Sequence, residues 1–216
     1  MNNQIRGVIF DLDGVIVSTD NCHYLAWKRM ADEEGIDFDR TVNERLRGVS
    51  RMESLAIILE KAQKEYTEEE KLALAAKKNG YYVELIGSLS EKDTLPGALE
   101  TLALLKERGI KVAIGSSSRN TPIILRQIGL SEAFDAVADG NMIKNSKPDP
   151  EVFLLAANLL KLNPADCLVV EDADAGIEAA VAGGMRALGV GSASANEKAA
   201  FTAASLKEAD FELILK

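Results

Sequence analysis

Two carboxylates follow directly on a strongly apolar stretch near the start of the chain. Val8, Ile9 and Phe10 form a run typical of a strand buried on both faces of a parallel sheet, and Asp11 and Asp13 come after it. In an open α/β sheet the chemistry collects outside the carboxyl ends of the strands, where these acids are expected. Two like charges at this spacing repel each other unless a cation or a shared proton relieves them. An acidic turn after a strand would contain the same residues, so other parts of the chain must decide.

Two later predicted strands also end in polar side chains. One runs into Ser116, and another ends in Glu171 and Asp172. Lys147 stands at the start of a helix between them. Four carboxylates in one crevice are costly without a divalent cation, and a ligand set made only of oxygen favours magnesium. Ser116, backbone amides and Lys147 would supply donors and positive charge for a phosphoryl group, so the combination predicts phosphoryl transfer through an aspartyl phosphate.

Each of these residues also has a purely structural interpretation. Glu171 and Asp172 would suit the N-terminus of the helix that follows, because acids are favourable there. Serine-rich turns are common, and a single lysine is usually a solvated surface residue. The occurrence of all four groups in order at predicted strand ends favours the functional interpretation.

The stretch of roughly residues 18–91 has no strand pattern and is predicted to be helical. Capping boxes at 50–53 and 67–70, each a hydroxyl residue followed three positions later by glutamate, predict two helix starts. The block is too long for a simple strand-to-helix connection. We therefore expect an inserted helical cap.

From Asp93 onward the pattern alternates between helix and strand, which predicts a parallel sheet with helices on both faces. The expected organisation is a Rossmann-like α/β core, residues 1–17 and 92–216, with a helical cap domain over residues 18–91. Helix and strand are not separable by pattern in the last dozen residues.

Composition limits the classes of partner. The 216 residues carry a net charge of −9, which argues against nucleic acid or an anionic membrane as the main partner. Two distant cysteines without metal-ligand spacing indicate reduced thiols, and neither a signal-peptide pattern nor a bilayer-length apolar run is present. We expect a cytoplasmic monomer that acts on a small molecule, since no patch is typical of a dimer interface.

The order of the polar motifs resembles the haloacid dehalogenase superfamily of phosphotransferases over nearly the whole chain. The motifs are Asp11-Leu12-Asp13-Gly14, then Ser116, Lys147-Pro148 and Glu171-Asp172. Asp13 indicates the phosphoryl-transferring branch, because the dehalogenases lack that acid. The fold of that superfamily agrees with the organisation expected above.

The helical block narrows the resemblance to the β-phosphoglucomutase family. The similar positions are His23 with Trp27, residues 47–51, Lys78-Asn79 and residues 118–120. Enzymes of that family interconvert β-glucose 1-phosphate and glucose 6-phosphate through β-glucose 1,6-bisphosphate, which also primes the cycle.

The resemblance implies a role for each acid. Asp11 would be the nucleophile that becomes phosphorylated, and Asp13 the general acid and base for the sugar oxygen. The side chains of Asp11, Glu171 and Asp172, with the backbone carbonyl of Asp13, would hold Mg²⁺. His23, the one histidine in the sequence, would assist Asp13, whereas packing at the hinge of the cap is the alternative.

The resemblance also implies a substrate-binding set. Ser116 and Lys147 would bind the phosphoryl group in transfer. Arg51, Ser118 and Asn120 would hold the other phosphate, a task that suits a bidentate arginine. The remaining substrate-binding positions by resemblance are Trp27, Lys78 and Arg119, although Trp27 also suits packing within the cap.

Four positions depart from the family pattern. Ser18 stands where aspartate is common, Ala173 where serine is frequent, and Arg47 and Arg119 where lysine is usual. None of them is a proposed nucleophile, acid or metal ligand. The departures therefore bear on substrate preference more than on reaction class.

Three competing functions remain open at this point. A sugar-phosphate phosphatase of the same superfamily would use the same aspartates and pass the phosphoryl group to water. A broader mutase would act on several β-sugar 1-phosphates, and a non-catalytic phosphosugar-binding module would use only the fold. Arg51 and its neighbours favour a mutase because a monophosphate phosphatase has no second phosphate to anchor, and the presence of both Asp11 and Asp13 argues against the non-catalytic module.

Overall fold

The computed structural model of the chain describes residues 4–46 and 49–216. The contacts between Cα atoms divide the chain into two compact units, Met1–Ser18 with Ser90–Lys216, and Thr19–Leu89. Within the described residues, all β-strands belong to the first unit and the second is helical. Arg47 and Gly48, which contribute to the resemblance described above, lie outside the described residues.

The first unit is built on one parallel sheet. Its strands, as far as the chain is described, are β1 (Gly7–Phe10), β2 (Lys111–Gly115), β3 (Ala136–Ala138), β4 (Cys167–Glu171), β5 (Arg186–Gly189) and β6 (Phe201–Thr202), in the order β3-β2-β1-β4-β5-β6. Every pair of neighbouring strands is parallel. The predicted α/β fold with a parallel sheet is confirmed, and the central strand β1 lies between β2 and β4.

The second unit consists of four helices within the described residues: α1 (Asp20–Glu33), α2 (Arg40–Glu44), α3 (Arg51–Leu59) and α4 (Glu68–Ile86). Both predicted capping boxes form. Ser50 and Glu53 exchange two hydrogen bonds at the start of α3, and Thr67 and Glu70 do the same at α4. A separate core, which includes Trp27, Met30, Phe38, Leu55, Ile58 and Leu74, holds these helices together.

The helices of the first unit are α5 (Ala98–Glu107), α6 (Thr121–Gln127), α7 (Glu151–Leu160), α8 (Asp174–Ala182) and α9 (Phe211–Ile214), as far as the chain is described. Helix α7 packs against β1, β2 and β3, and α8 packs against β4 and β5. Their small and apolar side chains form a buried core with the sheet, including Ile9, Ala113, Phe153, Val169 and Ile177. None of the helices in the described ranges is both long and apolar enough to cross a bilayer.

The end of the chain contains three short elements, β6, a 3-10 turn at Leu206–Glu208 and α9, and the last two lie in the dozen residues where pattern made no assignment. Strand β6 pairs with β5 through only two residues, and α9 is capped by Asp210, whose carboxylate accepts a hydrogen bond from the backbone N–H of Leu213. Elements of two to four residues are too short to show either the strand or the helix period. Their location depends on tertiary contacts.

We predict that Gly97 is required by a close backbone approach, whereas Gly109 is required by conformation alone. Both have positive φ, 89° and 67°, but a Cβ at Gly97 would lie 2.3 Å from the backbone nitrogen of Lys207, and nothing lies within 4 Å of a Cβ at Gly109. Gly109→Ala should lower the free energy of unfolding by about 1 kcal/mol. Gly97→Ala should lower it by about 3 kcal/mol, because the backbone must also move. Urea unfolding measures both, and equal losses would contradict the packing argument.

Candidate active site

Three carboxylates meet where two neighbouring strands end. Phe10 of β1 is in register with Val170 of β4, and the backbone N–H of Asp11 donates to the carbonyl of Val170 over 2.9 Å. The next residues on the two strands, Asp11 and Glu171, therefore emerge side by side. Their ligand oxygens and that of Asp172 all lie within 4.8 Å of one another.

Lys147 joins two of these acids. Its Nζ donates to Asp11 Oδ1 over 2.5 Å and to Glu171 Oε2 over 2.8 Å, and its side chain is 10% exposed. The ammonium also lies 4.5 Å from the centroid of the Phe153 ring on α7. Burial alone would lower the pKa of Lys147, but the charges of Asp11 and Glu171 outweigh burial and raise the pKa.

The segment that carries Lys147 is fixed by the first residue of α7. The carboxylate of Glu151 accepts hydrogen bonds from the backbone N–H groups of Lys144, at 3.0 Å, and Asn145, at 2.8 Å. Both residues are exposed. The ends of the segment are thus held by Glu151 on one side and by the Lys147 ion pairs on the other.

One ammonium does not neutralise the acidic cluster. Burial raises the pKa of Glu171 to about 6, with Lys147 opposing the shift. Burial and then the charges of Asp11, Glu171 and Asp13 raise the pKa of Asp172 to about 8. The atoms of the cluster that could bind a metal are carboxylate oxygens, and they carry excess negative charge. The cluster therefore fits a divalent cation.

A run of hydrogen-bonded polar residues follows β2, the other neighbour of β1. Ser116 is buried, and its Oγ accepts from the backbone N–H of Ser118 over 3.2 Å. The Ser118 Oγ in turn accepts from the N–H of Asn120, also over 3.2 Å, and Asn120 is buried directly before α6. Arg119 is exposed. Parallel strands place this run at the same edge of the sheet as the acidic cluster.

A second polar group lies within the helical unit, between α1 and α4. Lys78 is 3% exposed, and its Nζ lies 2.8 Å from His23 Nδ1. The same Nζ lies 4.7 Å from the ring centroids of Trp27 and Tyr82, and the His23 and Tyr82 rings are 4.1 Å apart. The sequence interpretation omitted Tyr82, although its spacing of four residues from Lys78 places both on one face of α4.

The bond between Lys78 and His23 determines which nitrogen of the imidazole ring carries the proton. Burial, and then the charges of Lys78 and Arg51, hold the pKa of His23 well below its usual 6.5. Since an ammonium only donates, Nδ1 of the neutral ring accepts from Lys78, and the ring proton resides on Nε2. His23 therefore presents a neutral N–H donor at Nε2.

Arg51 is the first residue of α3. Its Nη2 donates to Asn79 Oδ1 over 2.8 Å, so the residue after Lys78 in the chain orients the guanidinium. The predicted site residues thus form two groups. Those of the core unit lie at the carboxyl edge of the sheet, whereas His23, Trp27, Arg51 and Lys78 belong to the helical unit.

Comparisons with known proteins agree with the motifs. Residues 5–184 match the haloacid dehalogenase-like hydrolase family model. The β-phosphoglucomutase of Bacillus subtilis is 48% identical over 189 residues, which are 87% of this chain and 84% of that protein. A phosphorylated carbohydrates phosphatase of Thermotoga maritima is 33% identical over 184 residues, 84% and 82% of the two chains. The crystal structure of β-phosphoglucomutase from Clostridium difficile superposes with a TM-score of 0.88 at 44% identity, covering 97% of this chain and 95% of that one.

We predict that His23 titrates well below pH 6.5 in the folded protein. The pKa of His23 is lower in the folded protein than in the unfolded chain. Its contribution to the free energy of unfolding is therefore present above pH 6.5 and is lost as the pH falls towards the pKa of the folded state. The chain has one histidine, so the imidazole Cε1–H NMR signal gives the midpoint without assignment. Lys78→Met should raise the midpoint by removing a charge.

Lys77→Met is the matched control on the same helix, because Lys77 pairs with Glu33 at 2.6 Å rather than with His23. It should leave the midpoint unchanged. A wild-type midpoint at or above 6.5 would contradict the assigned protonation state.

Proposed function

The chain belongs to the haloacid dehalogenase-like hydrolase family, and we propose that it is a mutase that interconverts β-D-glucose 1-phosphate and D-glucose 6-phosphate. Its high identity to a protein named β-phosphoglucomutase carries this proposal. The pair Asp11 and Asp13 after β1, with Lys147 bound to Asp11, supplies the groups that the reaction requires.

Asp11 is the nucleophile in this mechanism. In the phosphorylated enzyme, the C6 hydroxyl of β-glucose 1-phosphate attacks the phosphorus of the aspartyl phosphate while Asp13 takes the hydroxyl proton. The bond to Asp11 breaks, and β-glucose 1,6-bisphosphate forms. After the bisphosphate has turned, Asp11 attacks the C1 phosphate, Asp13 returns the proton to the leaving oxygen, and glucose 6-phosphate is released.

Lys147 and Ser116 would bind the oxygens of the phosphoryl group during both transfers. The bonds that the Lys147 ammonium makes to Asp11 and Glu171 place a positive charge beside the nucleophile, where negative charge develops on the phosphoryl oxygens. Asp11, Glu171, Asp172 and the carbonyl of Asp13 would hold Mg²⁺, which supplies further charge stabilisation when bound.

We assign residues 18–91 as the cap domain, and His23, Trp27, Arg51 and Lys78 as its contribution to substrate binding. Arg51, with Ser118 and Asn120, would bind the phosphate that is not transferred, and Arg119 is a further substrate-binding position. His23, with its Nε2–H, would assist Asp13 by hydrogen bonding. The support for this assignment is the buried cation of Lys78 beside the His23 ring.

A sugar-phosphate phosphatase is the second candidate, favoured by the identity to a phosphorylated carbohydrates phosphatase. It would use Asp11 and Asp13 in the same way and differ only in the acceptor, which would be water. The set made by Arg51, His23 and residues 118–120 favours the mutase, because a monophosphate phosphatase has no second phosphate to anchor.

The remaining proposals concern the compartment, the oligomeric state and the partners of the protein. We propose that the protein works in the cytoplasm as a monomer with small sugar phosphates as its partners. The net charge of −9 supports neither a nucleic acid nor an anionic membrane as an alternative partner.

Phosphorus NMR tests the function directly. With Mg²⁺, β-glucose 1-phosphate and a trace of the 1,6-bisphosphate, the protein should form glucose 6-phosphate with little inorganic phosphate and leave the α anomer unchanged. Asp11→Asn should lower the rate by about 10⁴-fold or more, because no phosphoenzyme forms.

Asp37→Asn is the matched control, since the Asp37 side chain is 85% exposed and distant in sequence from the motifs. Its rate should equal that of the wild type. Inorganic phosphate as the main product would assign the protein to the phosphatases, and a fully active Asp11→Asn variant would contradict the mechanism.

A further inference from the structure

The backbone carbonyl of Asp172 accepts two hydrogen bonds from one short turn, residues 191–195. Ser192 Oγ donates over 2.6 Å, and the N–H of Ala193 donates over 3.0 Å. We infer that Ser192 is a positioning residue, which holds the backbone of Asp172 so that its carboxylate stays in the acidic cluster and binds a divalent cation. The inference rests on the proposed function and deepens it.

Electrostatic repulsion makes such a restraint necessary. The Asp172 carboxylate is close to those of Asp11 and Glu171, and Lys147 bonds to the latter two and not to Asp172. On the other side its Oδ2 lies only 2.1 Å from where a Cβ of Gly14 would stand, so packing limits its movement in that direction. Rotation of the Asp172 backbone is the movement that would carry the charge out of the cluster.

The turn and the residues directly after it, 196–198, are anchored well enough to oppose that rotation. Asn196 Nδ2 donates to Asp174 Oδ1, and Lys198 Nζ donates to Glu178 Oε1, each over 2.7 Å. Asp174 and Glu178 belong to α8, which begins two residues after Asp172. The N–H of Gly191 also donates to the carbonyl of Ala204 over 3.2 Å. The turn is therefore fixed both to the helix that follows Asp172 and to the segment after β6.

Ser192 is suited to a test because its side chain is exposed. Removal of the hydroxyl creates no buried cavity, and the Asp172 carbonyl keeps its bond from Ala193. Ser194 provides a matched control two residues away. Its Oγ donates over 2.7 Å to the carbonyl of Gly191 within the same turn and does not contact Asp172.

The experiment measures binding of Mn²⁺ to the full chain without sugar phosphate, from the EPR signal of free Mn²⁺. Ser192→Ala should raise the dissociation constant by about three- to tenfold, the loss expected from one hydrogen bond behind a metal ligand. Ser194→Ala should change it by less than about twofold, and Ser192→Thr, which keeps the hydroxyl, should restore most of the wild-type affinity. Asp172→Asn is the reference for loss of a ligand.

The outcomes separate the two proposals. Wild-type affinity in Ser192→Ala together with weakened binding in Asp172→Asn would overturn the role of Ser192 and leave the proposed function intact. Wild-type affinity in Asp172→Asn would overturn the metal assignment and this inference with it. The thermal unfolding of the metal-free Ser192→Ala and Ser194→Ala variants should coincide, and a much lower unfolding temperature for Ser192→Ala alone would indicate a general structural role and overturn the inference.

Discussion

The bonds of one buried ammonium to two carboxylates are the constraint on which the edge of the sheet depends. Lys147 lies between Asp11 and Glu171, the residues at the ends of the adjacent strands β1 and β4. Buried charges persist in a protein only when they are paired and hydrogen-bonded. Glu151 holds the backbone of the segment before α7, and this restraint favours the one position from which the lysine bonds to both acids.

The charge balance at this edge remains negative, and the chemistry uses that imbalance. The raised pKa of Asp172, about 8, expresses the cost of a further carboxylate beside Asp11 and Glu171. A divalent cation would lower that cost, and in the proposed mechanism a phosphoryl group held by Ser116 and Lys147 would bring its own charge into the same balance. The helical unit contains a buried charge of the opposite sign. The cation of Lys78 packs there against a neutral imidazole and two aromatic rings.

The sequence predicted those features that depend on local pattern. The buried apolar run before Asp11 and the alternation of helix and strand patterns after Asp93 were sufficient to predict the parallel sheet. The spacing of a hydroxyl residue and a glutamate was sufficient to predict where α3 and α4 begin. Contacts between distant residues had no such pattern. The bond from Lys78 to His23 spans 55 positions, and the bond from Ser192 to Asp172 depends on a turn that follows β5. The roles assigned to individual site residues remain predictions.

The unfolding free energy of Lys147→Met in the absence of metal tests the central claim most directly. At pH 8 the variant leaves Asp11 and Glu171 buried without their partner and should lose about 3–5 kcal/mol, part of which Mg²⁺ should restore. Lys198→Met, which removes an exposed ion pair with Glu178, should cost less than about 1 kcal/mol. If metal-free Lys147→Met were as stable as the wild type, the ammonium would not be what holds this edge of the sheet together.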